Sequence, residues 1–212
     1  MNIKKTANSL INFVIRRTAE IVGLFILVSG FFLFLALLSY SPEDPNFIFP
    51  DNREINNLLG FKGSFTADIF LQSIGFVAYL FSLTLITTGI NIVRIKKFFL
   101  IIENIFFSIL YTVFGTIFLT NFYSKSFALY INGNGGFVGS YLNQTFLNKL
   151  IQINEILIYY ILIILILLFF LKSLNFSPSK FYLFLINFLN FFNKNKQTTY
   201  TDRSEIINEY IP

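Results

Sequence analysis

The sequence contains no cysteine and no histidine, and only 13% of its residues are charged. Without cysteine there is neither a disulfide framework nor thiolate chemistry. Without histidine the commonest general base and the commonest metal ligand are missing, so any catalysis would rest on carboxylates and lysines. A soluble domain is typically about a quarter charged, and a chain with roughly half that share does not describe a water-facing globule.

Hydrophobic residues fill the space, at 55% of the 212 residues with 30 phenylalanines and a mean hydropathy of +0.66. They come in long blocks rather than at amphipathic spacing, which is the signature of membrane helices. The net charge of +5 points to the membrane surface before nucleic acid, because the basic residues cluster beside the apolar blocks.

Residues 1–20 form a basic segment with Lys4, Lys5, Arg16 and Arg17. Residues 21–38 follow without a single charged residue, close to the roughly 20 residues a spanning helix needs. The block exceeds the ~7–15 residue apolar core of a signal peptide and no A-x-A site follows it, so an uncleaved span is expected. Three more spans are expected at about 69–93, 98–119 and 156–171. The second and third are joined by a few residues containing Arg94, Lys96 and Lys97, which forces an antiparallel hairpin. Residues 39–67 and 121–154 are expected to be extracytoplasmic loops. Placing the N-terminus in the cytoplasm puts 12 of the 16 Lys and Arg residues inside, which favours both termini there. Within 173–194, Asn187, Asn190 and Asn193 make a narrow polar stripe on an otherwise apolar segment, as expected of an interfacial amphipathic helix; a fifth span is the rival reading. Residues 195–212 read as the start of a polar linker. The fold class is thus an all-α membrane protein with four transmembrane helices.

Helices in lipid associate where small residues let backbones approach. Ala19, Gly23 and Gly30 in the first span, Gly75, Ala78, Ser82 and Gly89 in the second, and Ser108, Thr112 and Gly115 in the third supply such faces. The fourth has none between Ile156 and Leu171. Spans one to three are therefore expected to pack as a core, with the fourth more peripheral.

Candidate chemistry is sparse. Glu20, Asp68, Glu103 and Glu155 lie near span ends rather than centres, where solvated or snorkelling carboxylates are ordinary. The glycines between Gly133 and Gly139 lack the Lys-Ser/Thr of a phosphate loop and read as turn formers. Glu43, Asp44, Asp51 and Glu54 lack the spacing of a cation cage and read as a solvated face. No catalytic, cofactor-binding or metal-binding residue is assigned.

Ser39, Tyr40, Ser41, Pro42, Asp44 and Pro45 stand in SYSPEDPNF, directly after the first span. Gly60, Gly63, Ser64, Ala67 and Asp68 then fill a G-x-x-G-[AS]-x-x-A-D pattern running into a span with Gly75 and Ala78. Gly135, Gly136 and Gly139 form a Gly-Gly-x-x-Gly element before the fourth span. In order and spacing this set resembles the N-terminal membrane domain of FtsK/SpoIIIE-type DNA translocases, over about residues 20–172. The resemblance implies a multi-pass domain in the bacterial inner membrane at the division septum. It also implies a homo-oligomer, hexameric in the family, that meets lipid and division-site proteins and serves chromosome partition. No G-x-x-x-x-G-K-[ST] occurs here, so ATP, magnesium and DNA contacts belong to a motor outside these residues. The chain reads as a fragment or a stand-alone membrane half. The alternative is a small polytopic carrier or channel component, which would need a polar cavity at mid-membrane. An intramembrane enzyme is disfavoured by the missing histidine and the lack of central acids.

Overall fold

The computed structural model describes residues 3–45, 54–125, 129, 131–179, 182, 183, 186 and 187. Among them the regular structure is entirely helical. The order is α1 (Ile3–Leu38), α2 (Gly60–Ile74), α3 (Val77–Ile95), α4 (Phe99–Phe122), α5 (Gly136–Asn143), α6 (Phe146–Ile153) and α7 (Glu155–Ser173). Four of these, α1, α3, α4 and α7, are long and apolar enough to cross a membrane. The chain is a multi-pass membrane protein.

At 1.5 Å per residue the 36 residues of α1 extend roughly 54 Å, against a hydrocarbon core of about 30 Å. The basic first half of α1 therefore continues, still helical, beyond the bilayer. α3 and α7 have 19 residues each and α4 has 24, so they match the bilayer closely.

The span expected over 69–93 is broken, and this corrects the sequence reading. α2 ends at Ile74, Gly75 takes φ +61°, and α3 starts at Val77. Such a left-handed φ is open mainly to glycine. The Gly75 N–H still closes the last turn on the Leu71 carbonyl, but the next N–H, of Phe76, donates to the Asn134 carbonyl at 3.0 Å. With 15 residues, α2 is about 22 Å long and too short to span. The loop expected over 121–154 is likewise more ordered than its polarity suggests, because it contains α5 and α6. The Thr145 and Asn154 side chains cap the first turns of α6 and α7, accepting from the N–H groups of Leu147 and Leu157.

Two antiparallel seams organise the bundle. Along α1 and α3, Gly23 lies against Gly89 and Val93, Gly30 against Leu85 and Ile86, and Leu37 accepts a hydrogen bond from the Tyr79 hydroxyl at 2.8 Å. Along α4 and α7, Phe107 stacks on Phe169, Phe114 also stacks on Phe169, and Phe118 and Phe122 meet Tyr159. The expected core of spans one to three is thus corrected to two pairs, joined where Val77 of α3 meets Gly115 of α4. α7 is still the most exposed span, with only Leu162 and Ser173 buried. One core cluster gathers Leu33, Ala36, Leu37, Ala67, Leu71, Ala78 and Leu129; a second gathers Ile117, Ile151 and Leu162.

Residues 1–175 and 176–212 form separate units. Half of the interfacial helix expected over 173–194, and all of the linker from 195, lie outside the described residues. Pro178, Ser179, Tyr182, Leu183, Ile186 and Asn187 are helical.

Candidate functional site

At the end of the bundle where α1 stops and α3 starts, the two long loops close a polar cap. It begins with the last turn of α1, whose carbonyls need partners. The Asn57 side-chain amide donates to the carbonyls of Ala36 at 2.9 Å and Ser39 at 3.3 Å. The Ser39 hydroxyl donates to the Leu35 carbonyl at 2.8 Å and accepts from the Leu58 N–H at 3.1 Å. Ser41 and Pro42 lie in the turn that carries Asp44 inwards. One Asp44 carboxylate oxygen accepts from the backbone and side-chain N–H groups of Asn56, and the other accepts from the Asn57 N–H. Asp44 is 3% exposed, so it is not the solvated acid that its place in SYSPEDP suggested. A buried carboxylate persists when charge-assisted bonds replace its water, and here three do so.

The first turns of α2 are fitted to this loop. Gly60 opens the helix at φ +64°, and a side chain at Gly63 would strike that of Asn57. The Ser64 hydroxyl donates to the Pro45 carbonyl at 3.1 Å. Ala67 and Ala78 are fully buried where α2 and α3 meet the end of α1. Asp68 is also buried, which corrects its reading as a solvated end residue. It accepts from the Tyr40 hydroxyl at 3.2 Å and the Gln72 amide at 3.5 Å. Burial pushes the Asp68 carboxyl above its usual range, with the bonds from Gln72 and Tyr40 pulling the other way.

The second loop joins at the same place. The Asn132 side chain donates to the backbone and side-chain oxygens of Gln72 at 3.3 and 3.2 Å. Asn134 holds its own loop by donating to the carbonyls of Tyr123 and Lys125. Gly136, at φ +66°, packs on the backbone of Ile74 and Gly75; Gly135 and Gly139 pack on Thr116 and Thr120 of α4. The sequence-derived set from Ser39 to Gly139 is therefore one structure, the contact of both loops with α2 and the starts of α3 and α5. The sequence reading missed Asn56, Asn57, Tyr79, Asn132 and Asn134. Their only signal was that they are amides or a tyrosine in loops or at helix ends.

A second polar group, also missed, lies inside the bundle. The Thr84 hydroxyl is 2.9 Å from that of Tyr111 and 3.0 Å from that of Ser173. The Asn104 amide donates to Thr88 at 2.8 Å and accepts from Asn175 at 2.8 Å, and the Asn91 side chain donates to the Leu174 carbonyl. These bonds tie the end of α7 to α3 and α4. The other sequence acids behave as end residues. Glu20 pairs with Arg17 and with Lys96 in the α3–α4 turn, and Glu103 and Glu155 are partly or fully exposed.

Among the described residues no three His, Cys, Asp or Glu side chains gather as a metal would require. The side chains of Ser39, Asp44, Asn57, Asp68 and Asn132 are spent on other parts of the cap, whereas the buried Asn134 Oδ1 and Thr120 Oγ1 find no partner among the described residues. The arrangement holds two loops in fixed register on the bundle end and presents their outer surfaces.

A family profile describing the 4TM region of DNA translocase FtsK/SpoIIIE matches residues 15–181. Among curated relatives, DNA translocase FtsK of Azospirillum brasilense is 40% identical over 73 residues, covering 34% of this chain and 12% of that protein. DNA translocase FtsK of Rhizobium meliloti (strain 1021) is 35% identical over 86 residues, covering 40% of this chain and 10% of that protein. The matched stretch thus spans about a tenth of either relative. No solved structure matches the chain.

Proposed function

The chain belongs to the family of FtsK/SpoIIIE four-helix membrane regions, and on that premise we propose that it anchors a DNA-translocating assembly in the inner membrane of a dividing cell. The observation that supports this best is the extent of the match, which takes in all four spans and the capped loops between them. In this reading the segment performs no catalysis, and ATP, magnesium and DNA are handled by motor domains joined to it. Tethering raises the effective concentration of whatever is joined to the anchor. Both termini face the cytoplasm, copies assemble through the membrane helices into a ring (a hexamer, as the family resemblance implies), and the cap offers its outer surface to division-site proteins. The polar side chains at membrane depth bond either across helices, as Thr84, Tyr111, Thr88 and Asn104 do, or back to their own helix, as Ser82, Ser108 and Thr116 do, which suits holding the bundle together better than passing a solute.

Fusion of the full chain to a fluorescent protein tests the reading. A band at mid-cell in dividing bacteria is expected, and even labelling around the envelope would overturn it. Because the sequence lacks cysteine, single substitutions test orientation cleanly. E43C should react with an impermeant maleimide from outside, and K97C only after the membrane is opened.

A further inference from the structure

Beyond the cap, a groove runs beneath α2, between α1 and α3, with a volume of about 490 Å³. Phe32 and Leu33 of α1, Phe70 of α2 and Leu85 of α3 supply its walls, and Lys62 and Thr66 stand along its α2 side. Such a volume lies within the range of roughly 300–1,000 Å³ typical of small-molecule sites. One lip, Phe32, is half exposed, so the groove opens on the lipid-facing side of the bundle. Phe70 is braced from behind by stacking on Phe81 at 5.7 Å.

We propose that this groove binds one acyl chain of an anionic phospholipid, whose phosphate is held by Lys62. Three observations lead there. An empty groove would deprive its walls of dispersion contacts, and its apolar lining cannot give water the two to four polar partners it needs. The Thr66 hydroxyl is already committed to the Lys62 carbonyl at 2.7 Å, which leaves the Ser29 hydroxyl as the one other polar side-chain group besides Lys62 on an otherwise hydrocarbon lining. Lys62 is exposed at the first turn of α2 and has no acidic partner among the described residues. A lysine so placed can lay its flexible stem along an apolar wall and keep its ammonium at the polar boundary. An apolar slot with one unpaired cation at its rim complements a hydrocarbon tail joined to a phosphate. α2 then acts as the roof over that tail.

Photocrosslinking of the full chain tests this. The protein is reconstituted in phosphatidylcholine vesicles doped with phosphatidylglycerol carrying a diazirine near the end of one acyl chain. Adducts are expected to concentrate on Ser29, Phe32 and Leu85 over the exposed α7 positions Ile161 and Ile164. Loss of one interfacial cation in K62Q should lower groove adducts about fivefold and leave α7 adducts unchanged, while K62R retains them. S29F, which fills the groove, should remove the Leu85 adduct, and unlabelled phosphatidylglycerol should compete better than phosphatidylcholine. Equal labelling of groove and α7, indifference to K62Q, or crosslinks from groove residues to a second copy would each overturn the assignment.

Discussion

The α1–α3 seam and the α4–α7 seam solve one problem in different ways. Lipid is as apolar as leucine, so association depends on shape and hydrogen bonding rather than on escape from water. α1 and α3 use absence: Gly23, Gly30 and Gly89 bring the two backbones together. α4 and α7 use presence, with Phe107, Phe114, Phe118 and Phe122 meeting Phe169 and Tyr159 across the gap, helped by hydroxyl and amide bonds near the end of α7. The first seam cannot accept an added atom, whereas the second loses only what a ring contributes.

That difference is open to attack from both sides. The largest effect is expected from Gly89→Leu. Even a single methyl there would lie 2.5 Å from the Leu27 nitrogen and 2.7 Å from the Gly23 carbonyl oxygen, and neither backbone atom can step aside. Overpacking typically costs about 1–3 kcal/mol, and a backbone clash belongs at the upper end, about 3 kcal/mol. Denaturant unfolding of the full chain in bicelles would measure it; a loss under 1 kcal/mol would mean that the seam is loose.

Phe169→Ala should cost less, about 1–2 kcal/mol, because the ring gives up two stacking partners at roughly 0.5–1.5 kcal/mol each while lipid refills the space. The same unfolding assay reads it. A cost equal to that of Gly89→Leu would erase the distinction between the seams.

The smallest effect sharpens the comparison at the capped end of α1 and α3. The folded Asp68 carboxyl has a pKa above its ordinary 3.8, so protonation favours the folded state. Its stabilising contribution is full below about 3.8 and is lost as pH rises through the higher folded value. Asp68→Asn should therefore flatten that part of the stability profile without lowering stability at neutral pH. A profile unchanged by the substitution would show that Asp68 is solvated after all.

The spans were legible because hydropathy reads the bilayer directly, and the α1–α3 seam was legible because small residues at helical spacing have one main use in lipid. The other seam was hidden in plain composition. Thirty phenylalanines look like a bias of the source, and nothing in sequence order tells a ring facing Phe169 from one facing lipid. The break at Gly75 escaped notice because the apolar run continues through it and glycine is common in membrane helices. The signal for the break is the Asn134 carbonyl, almost sixty residues away in the chain. Asp44 and Asp68 were misjudged for a related reason. Each lies beside a span end, where water is the usual partner, and only the fold supplies Asn56, Asn57 and Tyr40 instead, with Gln72 one turn along α2 from Asp68. The motif residues themselves were found by family likeness, and the structure adds why they travel together.

Asn175 carries a mechanical consequence. It follows the end of α7 in a left-handed conformation, φ +53°, and its amide is hooked to Asn104 on α4, while the Leu174 carbonyl beside it is gripped by Asn91 on α3. A pull transmitted up the polypeptide to this point does not peel α7 away by itself. The load is divided at once among three rods in the lipid, and the amide hooks must shear before the greasy, weakly buried α7 bears the tension alone.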